Sequence, residues 1–240
     1  MKQNISFNIY IMSYARPDVM LTEKLVEYST LVVREEEYDE YKKYGHSNLI
    51  SIPKGTVHDF ASTFFWIINN TDEDVICILD DDIKSFSYRQ DVYQLLKGDE
   101  GKEKATSELE RVAQLLYDLN LGFGFSPMTG ALYSYDREFA FKGMVGPVRW
   151  VNKNSFKATY DPNDAAAGDV DIMLQELLSN RIVLQEKYLC AANHQNEIIG
   201  KNEELSRQNH IDYVLAMKNK WGKYYGYDFR KNQAKIDVSR

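Results

Sequence analysis

The chain's sharpest chemical signal is a change of character within eight residues: Val75-Ile76-Cys77-Ile78-Leu79 is wholly apolar, and Asp80-Asp81-Asp82 follows at once. A β-branched apolar run of this length reads as a strand buried on both faces. Open α/β sheets bind their ligands outside the carboxyl ends of such strands. Extended chain alternates sides, so Asp80 and Asp82 point the same way and can share one cation, with Asp81 turned away. Carboxylate oxygens suit the hard ions Mg²⁺ and Mn²⁺, which commonly bridge protein acids to substrate phosphates. A solvated turn after a strand is the competing reading of the same acids. A second group is basic. Between residues 216 and 235, Lys218, Lys220, Lys223, Arg230, Lys231 and Lys235 stand against one acid, Asp228, with Trp221, Tyr224, Tyr225, Tyr227 and Phe229 interleaved. That pattern suggests a localised site for a polyanion or a diphosphate.

The elements that must position these groups follow from periodicity. Strands are expected over 5–12, 30–33, 48–52 and 75–79, separated by helices over 18–28, 35–44 and 57–68. Four such β-α repeats point to a doubly wound parallel sheet. After the acids, 88–101 is polar and reads as a mobile loop. Residues 103–121 form a strongly amphipathic helix, with Gly122 as its C-terminal cap. Short strands of a mixed sheet are expected over 130–134, 144–148 and 182–184, and helices over 171–179 and 203–218. Neither a repeat nor a convincing linker interrupts the chain. The expectation is one α/β domain over 1–240, in which a Rossmann-type half, 1–100, grades into a smaller half, 101–215, and the basic aromatic segment, 216–240.

Composition limits the function classes. Hydrophobic residues at 44% and charged residues at 27% support a sizeable core. No run approaches the roughly 18 apolar residues of a membrane span, and the first residues lack a signal-peptide core. Cys77 and Cys190 give no disulfide framework, so a reducing cytoplasmic setting is the default. Net charge is −7, and the +5 carried by residues 216–235 leaves −12 on the remainder. An acidic body argues weakly against a protein that coats nucleic acid. Neither a Gly-x-x-x-x-Gly-Lys-Ser loop nor a Gly-x-Gly-x-x-Gly after the first strand is present.

An α/β half, an Asp-x-Asp signature closing its fourth strand, and a later acidic pair opening a helix resemble the GT-A glycosyltransferases. The resemblance is specific at Leu79-Asp80-Asp81-Asp82-Ile83 and Gly168-Asp169-Val170-Asp171. It implies that Asp82 binds a Mn²⁺ or Mg²⁺ ion on the donor diphosphate. Asp80 would contact the ribose or the metal, and Asp81 is structural or lies in the nucleotide pocket. In an inverting enzyme Asp169 would be the general base, taking a proton from the attacking hydroxyl. Gly168 stands where many relatives have a second acid, which leaves the roles of Asp169 and Asp171 open. Acids in a first helical turn are also favoured by capping and the macrodipole. His194 sits where many GT-A enzymes supply a further metal ligand, although a lone histidine is usually a packed or surface residue. The same resemblance places Tyr14, Arg16, Arg34, Lys54 and Asp59 around the nucleotide, with Tyr14 on the base and Arg16 toward the phosphates.

Within that class the chain looks most like the compact phage-encoded enzymes that glycosylate hydroxymethylated pyrimidines in DNA. The similarity lies in its length, the Ser13-Tyr14-Ala15-Arg16-Pro17 loop, Ile78 to Ile83 and the closing basic segment. It implies a UDP-sugar donor, a DNA acceptor, no membrane anchor and, for a phage protein, the host cytoplasm. A base in a duplex is inaccessible, so flipping or single-stranded substrate would be required. Lys218, Lys220, Trp221, Lys223, Tyr224 and Arg230 would then contact DNA or close over the diphosphate. They also read as a last helix and a tail wrapping the body. Two alternatives share the acids: a cytoplasmic glycosyltransferase acting on a saccharide or protein, and a non-catalytic nucleotide- or Ca²⁺-binding module.

Overall fold

The computed structural model describes residues 5–18, 20–90, 92–127, 137–193, 203–231 and 233–238, with side chains in the last helix described from residue 210 onward. In chain order the elements are β1 Phe7–Met12, β2 Thr30–Arg34, α1 Tyr38–Lys43, β3 Leu49–Ile52, α2 Phe60–Asn69, β4 Val75–Asp80, β5 Ile83–Arg89 and β6 Tyr93–Leu95. They continue as α3 Gly98–Asp118, β7 Phe123–Phe125, β8 Phe139–Ala140, β9 Val148–Asn152, α4 Asp169–Asn180, β10 Leu184–Glu186 and β11 Leu189–Asn193. The last are α5 Glu203–Trp221, β12 Tyr225–Asp228 and β13 Gln233–Ile236.

One eight-stranded sheet runs β3-β2-β1-β4-β9-β7-β10-β8. Its first four strands are parallel, and β9 joins β4 antiparallel. The expected α/β class, with a Rossmann-type half on a mixed sheet, is what the chain adopts. The order reverses between β1 and β4, so a crevice opens at their carboxyl ends. Strand β4 is buried on both sides, as its apolar run requires. Val75, Cys77 and Leu79 pack with Trp150 under α3, while Ile76 and Ile78 join Phe64, Phe123, Ile172 and Met173 under α2 and α4. Acids at the end of such a strand sit at the rim of the core, because an unpaired carboxylate in its middle would be costly.

Several expected elements differ. Residues 18–28 hold only a 3₁₀ turn, Thr22–Leu25. The fully buried Thr22 donates to Asp80 O at 2.7 Å and accepts from Ile83 N at 3.0 Å, clamping the turn after β4 instead of extending a helix. The stretch read as a loop, 88–101, carries regular elements: β6 pairs with β5, and α3 begins at Gly98. Apart from the buried Arg89, most of its described polar residues face solvent, which composition cannot separate from loop. Asn120, at φ +54, takes the left-handed position after α3 that was expected of Gly122. The strand expected over 144–148 starts at Val148 and carries Arg149 and Asn152 in a fully buried run. The strand expected over 182–184 is β10, beginning at Leu184. The one expected over 130–134 lies outside the described residues. The basic segment folds back after α5 as the β12–β13 hairpin.

Candidate functional site

The crevice at the sheet's switch point is a cavity of about 430 Å³. Ser13, Tyr14, Arg16, Arg34, His58, Asp59, Phe60 and Asp80 to Asp82 line it over an apolar floor that includes Val32 and Ile52. Each loop at its rim is fixed by a local device. The loop after β1 holds Ala15 at φ +56, a conformation rare outside glycine, and Ala15 N donates to Glu37 at 3.0 Å. Asp59 caps α2 through reciprocal bonds with Ser62, which fixes the helix end bearing Phe60. Arg34 lies 4.0 Å from the centre of the Tyr14 ring and donates to His58 O at 3.2 Å, closing the wall between the first two loops.

Strand geometry stops at Asp80, so the three acids have separate environments rather than alternating ones. Asp81 is buried, accepting from Ser13 Oγ at 2.6 Å and Arg16 Nη1 at 2.9 Å. Ser13 Oγ also lies 2.6 Å from the hydroxyl of Tyr41, whose acidity burial suppresses to a pKa of about 12. Asp80 meets Arg149, with Nη1 to Oδ1 at 2.7 Å and Nη2 to Oδ2 at 3.4 Å. Asp82 has Arg16 only at 4.0 Å and accepts from Asn193 Nδ2 at 3.1 Å. Burial, then the neighbouring Asp80 and Asp81, push the Asp82 carboxyl above the usual carboxylate range.

Arg149 joins this cluster to Asp169, the first residue of α4, at 3.5 Å from Nη2. Its guanidinium carbon sits 4.8 Å from the centre of the Phe60 ring. The cause is register: β9 lies antiparallel to β4 with Arg149 opposite Ile78, which puts Arg149 on the same face as Asp80 and diagonal to it.

The remaining sequence candidates divide clearly. Tyr14, Arg16, Arg34, Asp59, Asp80, Asp81 and Asp82 meet at the cavity, whereas Lys54 does not line it; its backbone N donates to Glu35 at 2.8 Å. Asp171 is 2% exposed and turned away from Asp169. Lys220 at 2.7 Å, Trp221 Nε1 at 2.8 Å and Gln175 Nε2 at 2.7 Å occupy it, so it fastens α4 to the end of α5. Lys220 and Trp221 are thereby committed to that joint. Lys218 rests over Phe229 at 5.5 Å and Lys223 over the half-exposed Tyr224 at 5.3 Å, while Arg230 N donates to Asp228. His194 lies outside the described residues; Asn193, its chain neighbour, is the group beside Asp82. Sequence reasoning missed Ser13, Phe60, Arg149 and Asn193. Only the Arg inside a strand-like run offered a signal.

The sequence profile of the TET-associated glycosyltransferases matches residues 7–197. The chain belongs to that family. No curated protein matches this glycosyltransferase in sequence. Among solved structures it is similar to mannosyltransferase PcManGT from Pyrobaculum calidifontis, determined with GDP-Man and Mn²⁺. The TM-score is 0.55 at 11% identity, over 92% of this chain and 66% of that one. It is also similar to glucosyl-3-phosphoglycerate synthase from Mycobacterium tuberculosis, determined with Mn²⁺, UDP-glucose and glycerol 3-phosphate. There the TM-score is 0.53 at 10% identity, over 97% of this chain and 86% of that one. These likenesses show the GT-A fold. No helix among the described residues is long and apolar enough to cross a membrane.

Proposed function

We propose that this glycosyltransferase moves a sugar from a UDP-sugar, with Mn²⁺ or Mg²⁺, to the hydroxymethyl group of a modified pyrimidine in DNA, as a phage-encoded enzyme in a host cell would. One observation carries the donor half: a cavity at the switch point with Asp80 to Asp82 on one rim and Asp169 reached through Arg149. The donor set fits a divalent ion. Asp80, Asp81, Asp82 and Asp169 against Arg16 and Arg149 leave a formal charge of −2. Burial and then the neighbouring Asp80 and Asp81 hold the Asp82 carboxyl above the usual carboxylate range, and Asn193 Oδ1 beside it is buried without a hydrogen-bond partner. No group of three or more His, Cys, Asp or Glu side chains that could hold a metal exists among the described residues, so diphosphate oxygens would complete the shell. Asp82 and Asp80 would hold the ion, which when bound stabilises charge on the departing diphosphate.

The chain's own residues do the rest. Tyr14, braced by Arg34, offers a flat face at the cavity mouth for the base, and Arg16 offers its guanidinium toward the diphosphate. Asp169, one-third exposed at the start of α4, accepts the proton of the attacking hydroxyl. The Phe60 ring, 4.8 Å from the Arg149 guanidinium, gives that cation an apolar wall beside the acids.

The acceptor half rests on charge. A second cavity, about 380 Å³, is lined by Arg137, Lys142 and Lys187 with the half-exposed Phe141, on a body that is otherwise acidic. It includes Leu177, eight residues along α4 from Asp169, or about 12 Å at 1.5 Å per residue. Along one strand of a duplex the phosphates advance about 3.4 Å of axis per nucleotide, so on a strand held near that spacing phosphates three or four nucleotides from a base at Asp169 would reach these cations. The test is nucleoside mass spectrometry after incubation with UDP-sugars and hydroxymethylcytosine-containing DNA, unmodified DNA, or saccharides. Sugar on the hydroxymethyl base, falling steeply with salt, supports the proposal. Transfer only to saccharides refutes the acceptor while leaving the donor site standing.

A further inference from the structure

Arg149 is an expensive residue to keep where it stands. Its side chain is 5% exposed, and Nε is buried without an acceptor. It is retained between two acids from different elements, at the start of α4 and the end of β4. Burying an unpaired guanidinium half-satisfied costs several kcal/mol (on the order of 1–3 for the orphan N–H alone), so the acids must carry it. Both oxygens of Asp80 are engaged by Arg149, and both oxygens of Asp81 by Ser13 and Arg16. Of the three consecutive acids, Asp82 alone has no cation closer than 4.0 Å among the described residues.

We infer that Arg149 is a resident counter-cation competing with the divalent ion for Asp80, so that metal enters only together with the donor diphosphate. This rests on the metal site proposed above. A bare ion meets one open carboxylate, and a hard cation needs about six oxygens. A diphosphate supplies the missing oxygens and holds the ion against Asp82, where the ion's positive charge competes with Arg149 for Asp80. Arg149 then keeps Asp169 as its remaining partner, which ties donor occupancy to the acid that faces the acceptor. A guanidinium beside a carboxylate lowers its proton affinity by about 10- to 1,000-fold, and a divalent ion feels the same charge more strongly.

The measurement is Mn²⁺ binding by electron paramagnetic resonance, with and without UDP, on wild type, Arg149→Met, Arg149→Lys and Asp80→Asn, each checked for folding by circular dichroism. Wild type should bind Mn²⁺ weakly alone and at least about tenfold more tightly with UDP. Arg149→Met should tighten nucleotide-free binding by roughly tenfold, ~1.4 kcal/mol, a sign opposite to structural damage. Arg149→Lys keeps the charge and should stay near wild type. Should Arg149→Met fail to fold, Asp80→Asn decides: nucleotide-free affinity should hold within about twofold while Mn²⁺·UDP affinity falls about tenfold. Nucleotide-free binding unchanged or weakened in Arg149→Met, or lost in Asp80→Asn, overturns the competition. If wild type takes up no Mn²⁺ even with UDP, the metal site itself is wrong, and that result is distinct from the others.

Discussion

Asp171→Asn separates scaffold from chemistry at the two acids that open α4. Asp171 is 2% exposed and receives three donors, Lys220, Trp221 and Gln175, at 2.7 to 2.8 Å. Replacing the carboxylate by an amide removes the charge that strengthens the Trp221 bond and puts an N–H against a donor. Gln175 cannot simply rotate to accept it, because its own oxygen already accepts from Thr159 N at 2.9 Å and its nitrogen donates to Thr159 O at 3.1 Å. The Trp221 bond contributes about 1.5 kcal/mol as a charge-assisted bond. The one-third-exposed Lys220 adds about 1 after discounting for solvent, and it retains Asp164 as a second partner. A loss of about 2–3 kcal/mol corresponds to a fall in Tm of about 5–10 °C for a chain of this size. The assay pairs thermal unfolding by circular dichroism with the transfer rate per folded molecule at 20 °C. Asp171→Asn should melt early and keep its rate within about threefold. Asp169→Asn, on a one-third-exposed acid 3.5 Å from an Arg149 that still has Asp80, should melt closer to wild type than Asp171→Asn and lose transfer by orders of magnitude. An Asp171→Asn protein with unchanged Tm and abolished transfer would refute this division of labour.

Other consequences are equally direct. Burial pushes the Glu186 carboxyl up to about 7 from its ordinary 4.5, so the folded protein holds a proton that the unfolded chain releases. That contribution is fully present below pH 4.5 and is lost as pH rises through 7. Glu186→Gln should therefore flatten the decline of the urea midpoint between pH 5 and pH 8, and an unaltered slope would show that Glu186 ionises normally. At Gly122 an added methyl would lie 2.7 Å from Ser155 O and against the Glu176 carboxylate, which accepts from Ala158 N at 2.7 Å. Gly122→Ala should cost about 1–3 kcal/mol in urea unfolding, and a neutral result would mean that this joint yields more easily than its backbone contacts suggest.

Much of the parallel half of the sheet was legible because its signals are local. The apolar run into Asp80 could only be a central strand. The β-α alternation around it fixes a parallel sheet, whose reversal puts the loop of Tyr14 and Arg16 beside those acids. What escaped is what depends on distant pairing. Arg149 matters because β9 lies antiparallel to β4 in one particular register, and a strand carrying Arg, Trp and Asn does not advertise itself as buried. Thr22 resembles any helical threonine until the turn after β4 is seen to need its hydroxyl. In the basic aromatic segment the sequence left several uses open, the scaffold one among them. Lys220 and Trp221 are spent on Asp171, while the cationic cavity lies at Arg137, Lys142 and Lys187, scattered in sequence and gathered by the sheet's far edge. The acid pair at Asp169 and Asp171 could not be resolved without the helix phase, which turns one toward Arg149 and the other into a helix joint.

Isothermal titration of Mn²⁺·UDP into wild type and Asp82→Asn bears most directly on the acid-rimmed cavity as a sugar-nucleotide site. Wild type should bind one equivalent, dependent on the metal, while Asp82→Asn unfolds at the wild-type temperature and binds at least about a hundredfold more weakly. Equal affinity in the two proteins, or UDP binding indifferent to the metal, would contradict the account.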